Sequence, residues 1–214
     1  MTATSIPEGM NEKEYYETVV SEEEFLRWYK EQDHPTYENP SVTADMVAYC
    51  FVEGRLKLLV IRRKTHPCQH RVALVGGFLQ KHEDAIQACI REVQEEVGLE
   101  LTPQKVEQLM TVSTPGRDPR GWVITIAHLV YLPAEAVDMV RAGDDAKEVL
   151  FLDVDFKHGE CSLDGRVLTA GDFAFDHYEI VQESIKRIQG RLAWNPTFLL
   201  SLIHISEPTR LLSI

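Results

Sequence analysis

The chain has 214 residues, 34 acidic against 22 basic, for a formal net charge of -12. That balance disfavours non-specific nucleic-acid binding, which depends on basic side chains neutralising phosphates, while 44% hydrophobic content is ample for a globular core. There is no run of about 18 apolar residues to span a membrane, and the N-terminal MTATSIPEGMNEKEYY lacks the basic-then-apolar pattern of an export signal.

Residues 11–32 are charged, with Tyr15, Val19, Phe25, Leu26 and Tyr29 interspersed, which predicts one or two amphipathic helices in an extension over 1–40. His34-Pro35 and Asn39-Pro40 are breakers. Residues 42–52 read as a strand, Glu53-Gly54 as a turn and RLKLLVIR (55–62) as the returning strand. A basic loop follows over 63–71. Residues 77–99 hold a loop and a helix, stopped by Gly98. Residues 105–113, 121–132 and 147–153 read as further strands, 133–142 as a short helix, and Asp164-Gly165 as the turn of a hairpin between 156 and 168. Residues 176–189 form a last helix with the stripe Val181, Ile185, Ile188 and Leu192 and a stop at Gly190. Cys50, Cys68, Cys89 and Cys161 show no CxxC pairing; Cys50 and Cys89 sit in apolar patterns. This usage points to a reducing, cytoplasmic setting.

The informative segment runs from Gly77 to Leu99. It fills every fixed position of G-x5-E-x7-R-E-U-x-E-E-x-G-U, where U is aliphatic: Gly77, Glu83, Arg91, Glu92, Val93, Glu95, Glu96, Gly98 and Leu99. Glu92, Glu95 and Glu96 are spaced i, i+3, i+4, which on a helix gathers three carboxylates within one turn. Ala85, Ile86, Cys89, Ile90, Val93 and Val97 supply the opposite, core-facing stripe. Like charges so close are destabilising unless a cation or an arginine offsets them. Hard divalent cations take oxygen ligands, and Mg²⁺ is typically shared between carboxylates and substrate phosphates. Diphosphate hydrolysis needs such cations to neutralise charge and activate water. Gly76-Gly77 lets backbone approach closely. An acidic run alone is more simply a solvated helix face; the accompanying fixed positions set this one apart.

On these residues the chain resembles the Nudix hydrolases. The resemblance implies an α/β fold, the Nudix α/β/α sandwich with a mixed sheet, over about residues 41–195. It also implies hydrolysis of a nucleoside diphosphate linked to a further group, with Mg²⁺ or Mn²⁺. It makes Glu92, Glu95 and Glu96 metal ligands, the Gly77 carbonyl and Glu83 their support, and Arg91 the residue that orients a glutamate. Arginine's planar fork suits that task better than lysine. Where many relatives read W-A-L-P-G-G-F, this chain has Val72-Ala73-Leu74-Val75-Gly76-Gly77-Phe78, which removes no ligand.

Three segments are similar to a subgroup: the first strand, Arg117-Asp118-Pro119-Arg120-Gly121, and Ala174-Phe175-Asp176-His177. They resemble ADP-ribose pyrophosphatase-like Nudix proteins, and also relatives that fuse the domain to a winged helix and repress NAD-metabolism genes. The first likeness implies cleavage of ADP-ribose to AMP and ribose 5-phosphate. The second implies a nucleotide-sensing module whose winged helix is missing here. Arg117 and Arg120 are expected either to bind phosphate or ribose or to lie in a solvated turn with Asp118 pairing one of them. Of Arg62, Arg63 and Lys64, Arg63 is the candidate for the phosphates. Asp176 is expected to cap the last helix, with His177 packing beside it or lining the pocket. His66, His70 and His82 are expected on loop surfaces. Glu148, or Asp144 or Asp145 before it, is the candidate for a catalytic acid outside the motif. The resemblance also implies a homodimer.

Residues 200–210, LSLIHISEPTR, match the translation of a transposase-type adapter used in DNA library preparation. Residues 200–214 are therefore expected to be non-native, His204 is no ligand, and the natural chain is expected to continue further; the alternative is a natural amphipathic C-terminus.

Overall fold

The computed structural model describes residues 6–34, 37–141 and 146–194, with the side chains of 146 and 147 outside the description. Asp144, Asp145 and the expected non-native tail lie outside the described residues. Two compact units are distinguished, residues 1–39 and 40–214.

The first unit holds α1 (Glu12–Thr18) and α2 (Glu22–Glu31). Asn11 caps α1 through its side-chain oxygen, and Ser21 with Glu24 forms a reciprocal capping box on α2. The Tyr16 and Trp28 rings stack with centroids 4.8 Å apart.

In the second unit, β1 (Ser41–Val52) turns through Glu53 and Gly54 into β2 (Arg55–Arg63). Both turn residues have positive φ, 51° and 77°, as a two-residue hairpin matched to strand twist requires. Next come β3 (Val72–Ala73), β4 (Val75–Phe78) and α3 (Ala85–Val97). They are followed by β5 (Val106–Val112), β6 (Val123–Leu132), the single-turn α4 (Ala136–Met139) and β7 (Ala146–Asp155). The hairpin β8 (Glu160–Leu163) and β9 (Arg166–Val167) turns at Asp164-Gly165, and α5 (His177–Trp194) ends the described chain.

The strands form one mixed sheet in the order β5-β6-β1-β2-β7-β8-β9, with β3 beside β2 and β4 beside β1. β1 pairs parallel with β6 and antiparallel with β2 and β4. A parallel neighbour requires a crossover, and α3 lies in that connection. Alternate β1 side chains feed two cores. Ala44, Met46 and Ala48 pack with Ala88, Cys89, Val93 and Val97 of α3. Val47 and Tyr49 pack with Ile180, Val181, Ile185 and Ile188 of α5. The result is the α/β/α sandwich.

Three local differences separate the sequence reading from the structure. β3 and β4 are too short to show alternation, and only pairing to β2 and β1 defines them. The helix expected over 133–142 shrinks to one turn. α5 does not stop at Gly190. Leu192 packs on the α5 core and Arg191 pairs with Glu107, which outweighs glycine's helix cost of about 1 kcal/mol.

Candidate active site

α3 starts at Asp84, whose carboxylate caps Gln87 N–H in a reciprocal capping box, and stops at Gly98, which takes the left-handed conformation at φ 73°. This frames Glu92, Glu95 and Glu96 on one helix beside β4. The approach is close. A Cβ on Gly77 would sit 2.3 to 2.5 Å from the Glu92 carboxyl atoms, and one on Gly76 would sit 2.3 Å from the Ala44 carbonyl oxygen. At Gly76 the obstruction is backbone, so only glycine fits, whereas at Gly77 it is the end of the Glu92 side chain, which would have to move aside. Gly76 N–H donates to Glu96 Oε2 at 3.2 Å.

Arg91 organises the carboxylates. Nη1 donates to Glu92 Oε1 at 2.8 Å and to Glu95 Oε2 at 3.0 Å. Nε and Nη2 form a fork on Glu83 at 3.0 and 2.6 Å, and Nη2 also reaches the Phe78 carbonyl at 3.1 Å. The guanidinium pulls Glu83 below the usual carboxylate range. Glu92 moves the other way: burial raises it, against the opposing pull of Arg91.

Glu92 and Glu96 face a cavity of about 450 Å³, while the Glu95 side chain is 60% exposed and absent from its lining. As they stand, no three acidic, histidine or cysteine side chains converge on one point among the described residues. Glu92 and Glu95 are turned on Arg91 instead. Even so, the residues suit a divalent cation. The donors are oxygens, the helical spacing lets side-chain rotation bring three together, and the absent Cβ at Gly77 keeps the backbone close to Glu92.

The same cavity lining carries Arg63, Arg117, Arg120, Asp45, Phe175 and His177. Arg117 is 4% exposed and forks onto Asp176 at 2.8 and 2.6 Å, so it is neither in a solvated turn nor open to a phosphate. The Asp176 carboxylate is thereby committed to Arg117, where a helix-capping role was expected. Arg120 forks onto Asp118, with Nη2 to Oδ2 at 2.7 Å. Burial would raise the Asp118 carboxyl, but its hydrogen bonds from Arg120 prevail and lower it. Arg63 donates to the Pro67 carbonyl at 2.8 Å and has no carboxylate partner among the described residues. His177 is buried, and its Nδ1 accepts from Leu74 N–H at 2.9 Å. That bond leaves the proton on Nε2, 3.9 Å from Asp45. Burial holds the His177 imidazole below its ordinary value. His66, although exposed, contributes to the rim.

Glu148 is a correction. It lies opposite Arg62 on β2 and forms an ion pair with it, outside the cavity lining. Residue parity explains this: Ile61 and Arg63 face the cavity, so Arg62 and its cross-strand partner do not. Asp45 was missed, although an acid inside an otherwise apolar strand was a visible signal. It is buried and accepts from Thr125 Oγ1 at 2.5 Å. Phe78 and Phe175 left no comparable signal.

Residues 40–156 match the NUDIX domain family. The chain is 35% identical over 151 residues to an ADP-ribose pyrophosphatase of Methanocaldococcus jannaschii, covering 70% of this chain and 76% of that one. It is 28% identical over 173 residues to the ADPR responsive transcriptional repressor NtrR of Acinetobacter baylyi, covering 80% of this chain and 62% of the repressor. The chain thus spans less than two thirds of the repressor's length. The crystal structure of a MutT/nudix family protein from Enterococcus faecalis superposes with a TM-score of 0.82 at 36% identity, covering 93% of this chain and 81% of that one.

Proposed function

The chain belongs to the NUDIX domain family, and from that premise we propose that it is a pyrophosphohydrolase that cleaves ADP-ribose to AMP and ribose 5-phosphate with Mg²⁺ or Mn²⁺. The observation that carries the reading is Glu92 and Glu96 of α3 held against the Gly76-Gly77 backbone in the lining of a cavity that Arg63 shares, with Glu95 on the same helix turn. The similarity to an ADP-ribose pyrophosphatase supports the choice of substrate.

The three glutamates, with the Gly77 carbonyl, would hold the divalent cations. Bound there, the cations neutralise the diphosphate and acidify water for attack on phosphorus. Arg91 and Glu83 keep the carboxylates in register on the helix. Arg63, without a carboxylate partner among the described residues, is a cavity cation placed to meet the diphosphate. Arg117 acts at one remove, by bracing Asp176 and the start of α5. Glu148, tied to Arg62, drops out as base, and proton removal is assigned here to a glutamate of α3.

The similarity to NtrR favours a second reading, a nucleotide-sensing module of a transcriptional repressor. A sensor does not need a full set of cation ligands, and all of them are present. Thiols at Cys50, Cys68, Cys89 and Cys161, none in a disulfide, suit a reducing cytoplasm, and a homodimer is the expected assembly. Among the described residues no helix is long and apolar enough to cross a membrane.

The test is release of AMP from ADP-ribose with Mg²⁺, with and without chelator. Chelator-sensitive turnover that Glu96→Gln abolishes is expected. Saturable ADP-ribose binding without turnover would replace the enzyme by the sensor.

A further inference from the structure

We propose that Asp45 is a positioning residue, which fixes the Gly76-Gly77 backbone against the α3 glutamates; this role rests on the pyrophosphohydrolase reading. The need for it arises in β4. That strand is four residues long, pairs with β1, and has glycine at its two central positions. Glycine has the widest backbone freedom of any residue and brings no side chain to restrain it. Yet this backbone presents the Gly77 carbonyl assigned to the cations, and Gly76 N–H donates to Glu96 Oε2 at 3.2 Å. The restraint has to come from neighbours.

Asp45 lies directly opposite Gly76 in the pairing of β1 with β4. Its Oδ1 stands 2.6 Å from the point that a Gly76 Cβ would occupy, so the carboxylate packs on bare glycine backbone. The other oxygen faces three further elements. Thr125 Oγ1 of β6 donates to Oδ2 at 2.5 Å. Arg117 Nη2, on the connection between β5 and β6, lies 4.0 Å from that oxygen, and His177 Nε2, at the start of α5, lies 3.9 Å from it. Both gaps exceed a hydrogen bond, so those two groups compensate the charge while Thr125 sets the direction of the carboxylate.

Asp45 is 6% exposed and Thr125 is fully buried. A carboxylate is costly to bury inside an apolar strand unless its charge is met. Here one oxygen is anchored to β6 and the other bears on the strand that reaches Glu96. Arg91 aligns the glutamates from the helix side, and Asp45 aligns their backbone partner from the strand side. The restraint is one of shape and direction. Asparagine, equal in size and able to accept from Thr125, preserves it; alanine does not.

The test titrates Mn²⁺ alone into the full chain by calorimetry, well below the unfolding temperature, and follows ADP-ribose turnover in parallel. Asp45→Ala is expected to weaken Mn²⁺ about tenfold or more, as loss of a group supporting metal ligands does. Asp45→Asn is expected to retain most of the wild-type affinity. A residue that served stability alone would lower the melting temperature and leave Mn²⁺ affinity unchanged, and that result overturns the role. An asparagine variant as weak as the alanine variant also overturns it, because the charge would then act directly. If Asp45→Ala does not fold, Thr125→Val, close in shape, frees the same oxygen and is expected to weaken Mn²⁺ in the same direction; unchanged affinity there overturns the role. If wild type cleaves ADP-ribose while Asp45→Ala binds Mn²⁺ normally, the positioning role fails alone. If Mn²⁺ binding depends on Asp45 as expected but wild type cleaves nothing, the hydrolase reading fails and the positioning role stands. Wild type that neither binds Mn²⁺ nor cleaves ADP-ribose overturns both.

Discussion

Gly77 on β4 and Glu92 on α3 are in such close contact that a methyl group on the glycine would fall within 2.5 Å of all three carboxyl atoms of the glutamate. The strand backbone and the helix acid therefore specify each other's position. Gly77→Ala should displace Glu92 by about the width of a methyl group. Misplacement on the order of 1 Å can cost about 100-fold in rate. Turnover of ADP-ribose should fall by about that factor while the melting temperature drops only modestly. A variant retaining most wild-type kcat would show that Glu92 does not need its present place.

Arg91 spends all of its donors on Glu83, Glu92, Glu95 and the Phe78 carbonyl. Lysine carries the charge without the fork. Arg91→Lys should lower activity about 10- to 100-fold, as loss of a ligand-orienting partner does. The apparent cation requirement should rise with it, which titration of activity against Mg²⁺ reads directly.

The Glu96 carboxylate accepts from Gly76 N–H, and a glutamine oxygen can do the same. Glu96→Gln should therefore preserve the fold, and removing one of three like charges on a helix face is neutral or slightly stabilising. Activity should nevertheless collapse. Unchanged thermal unfolding together with lost turnover separates a functional carboxylate from a structural one.

Arg117 is almost wholly buried against Asp176. Removing one partner of a buried pair costs about 3–5 kcal/mol, whereas replacing both by apolar groups is often close to neutral; Asp45, 4.0 Å from Arg117 Nη2, offsets part of that loss. Asp176→Leu should destabilise strongly in urea unfolding, and adding Arg117→Met should recover most of the loss. A double variant as unstable as the single would mean the pair is held by something other than charge.

His128 and His177 are buried, and burial lowers both imidazoles from the ordinary value of 6.5. The folded protein keeps them neutral where the unfolded chain begins to take up protons. Their contribution is therefore intact above about pH 6.5 and is lost as pH falls below it. The melting temperature should decline below that point. His128→Leu should make the decline shallower, since it removes one titrating imidazole whose buried Nδ1 has no hydrogen-bond partner among the described residues.

The sequence by itself determined the family, the strand-helix order and the three-carboxylate face, because all of these are local. Spacing on a helix sets Glu92, Glu95 and Glu96 side by side wherever that helix goes. Gly98 and Glu53-Gly54 announce their backbone conformations in place. Only the tertiary structure decided the rest of the cavity lining. Arg117 meets Asp176 across 59 positions, and Glu148 meets Arg62 across 86. One arginine becomes a buried brace, the expected outside acid leaves the site, and Arg63 is left to face the cavity. Such pairings depend on strand register and on where a loop lands against α5. Ionic partners separated by that distance along the chain leave no periodic trace in it.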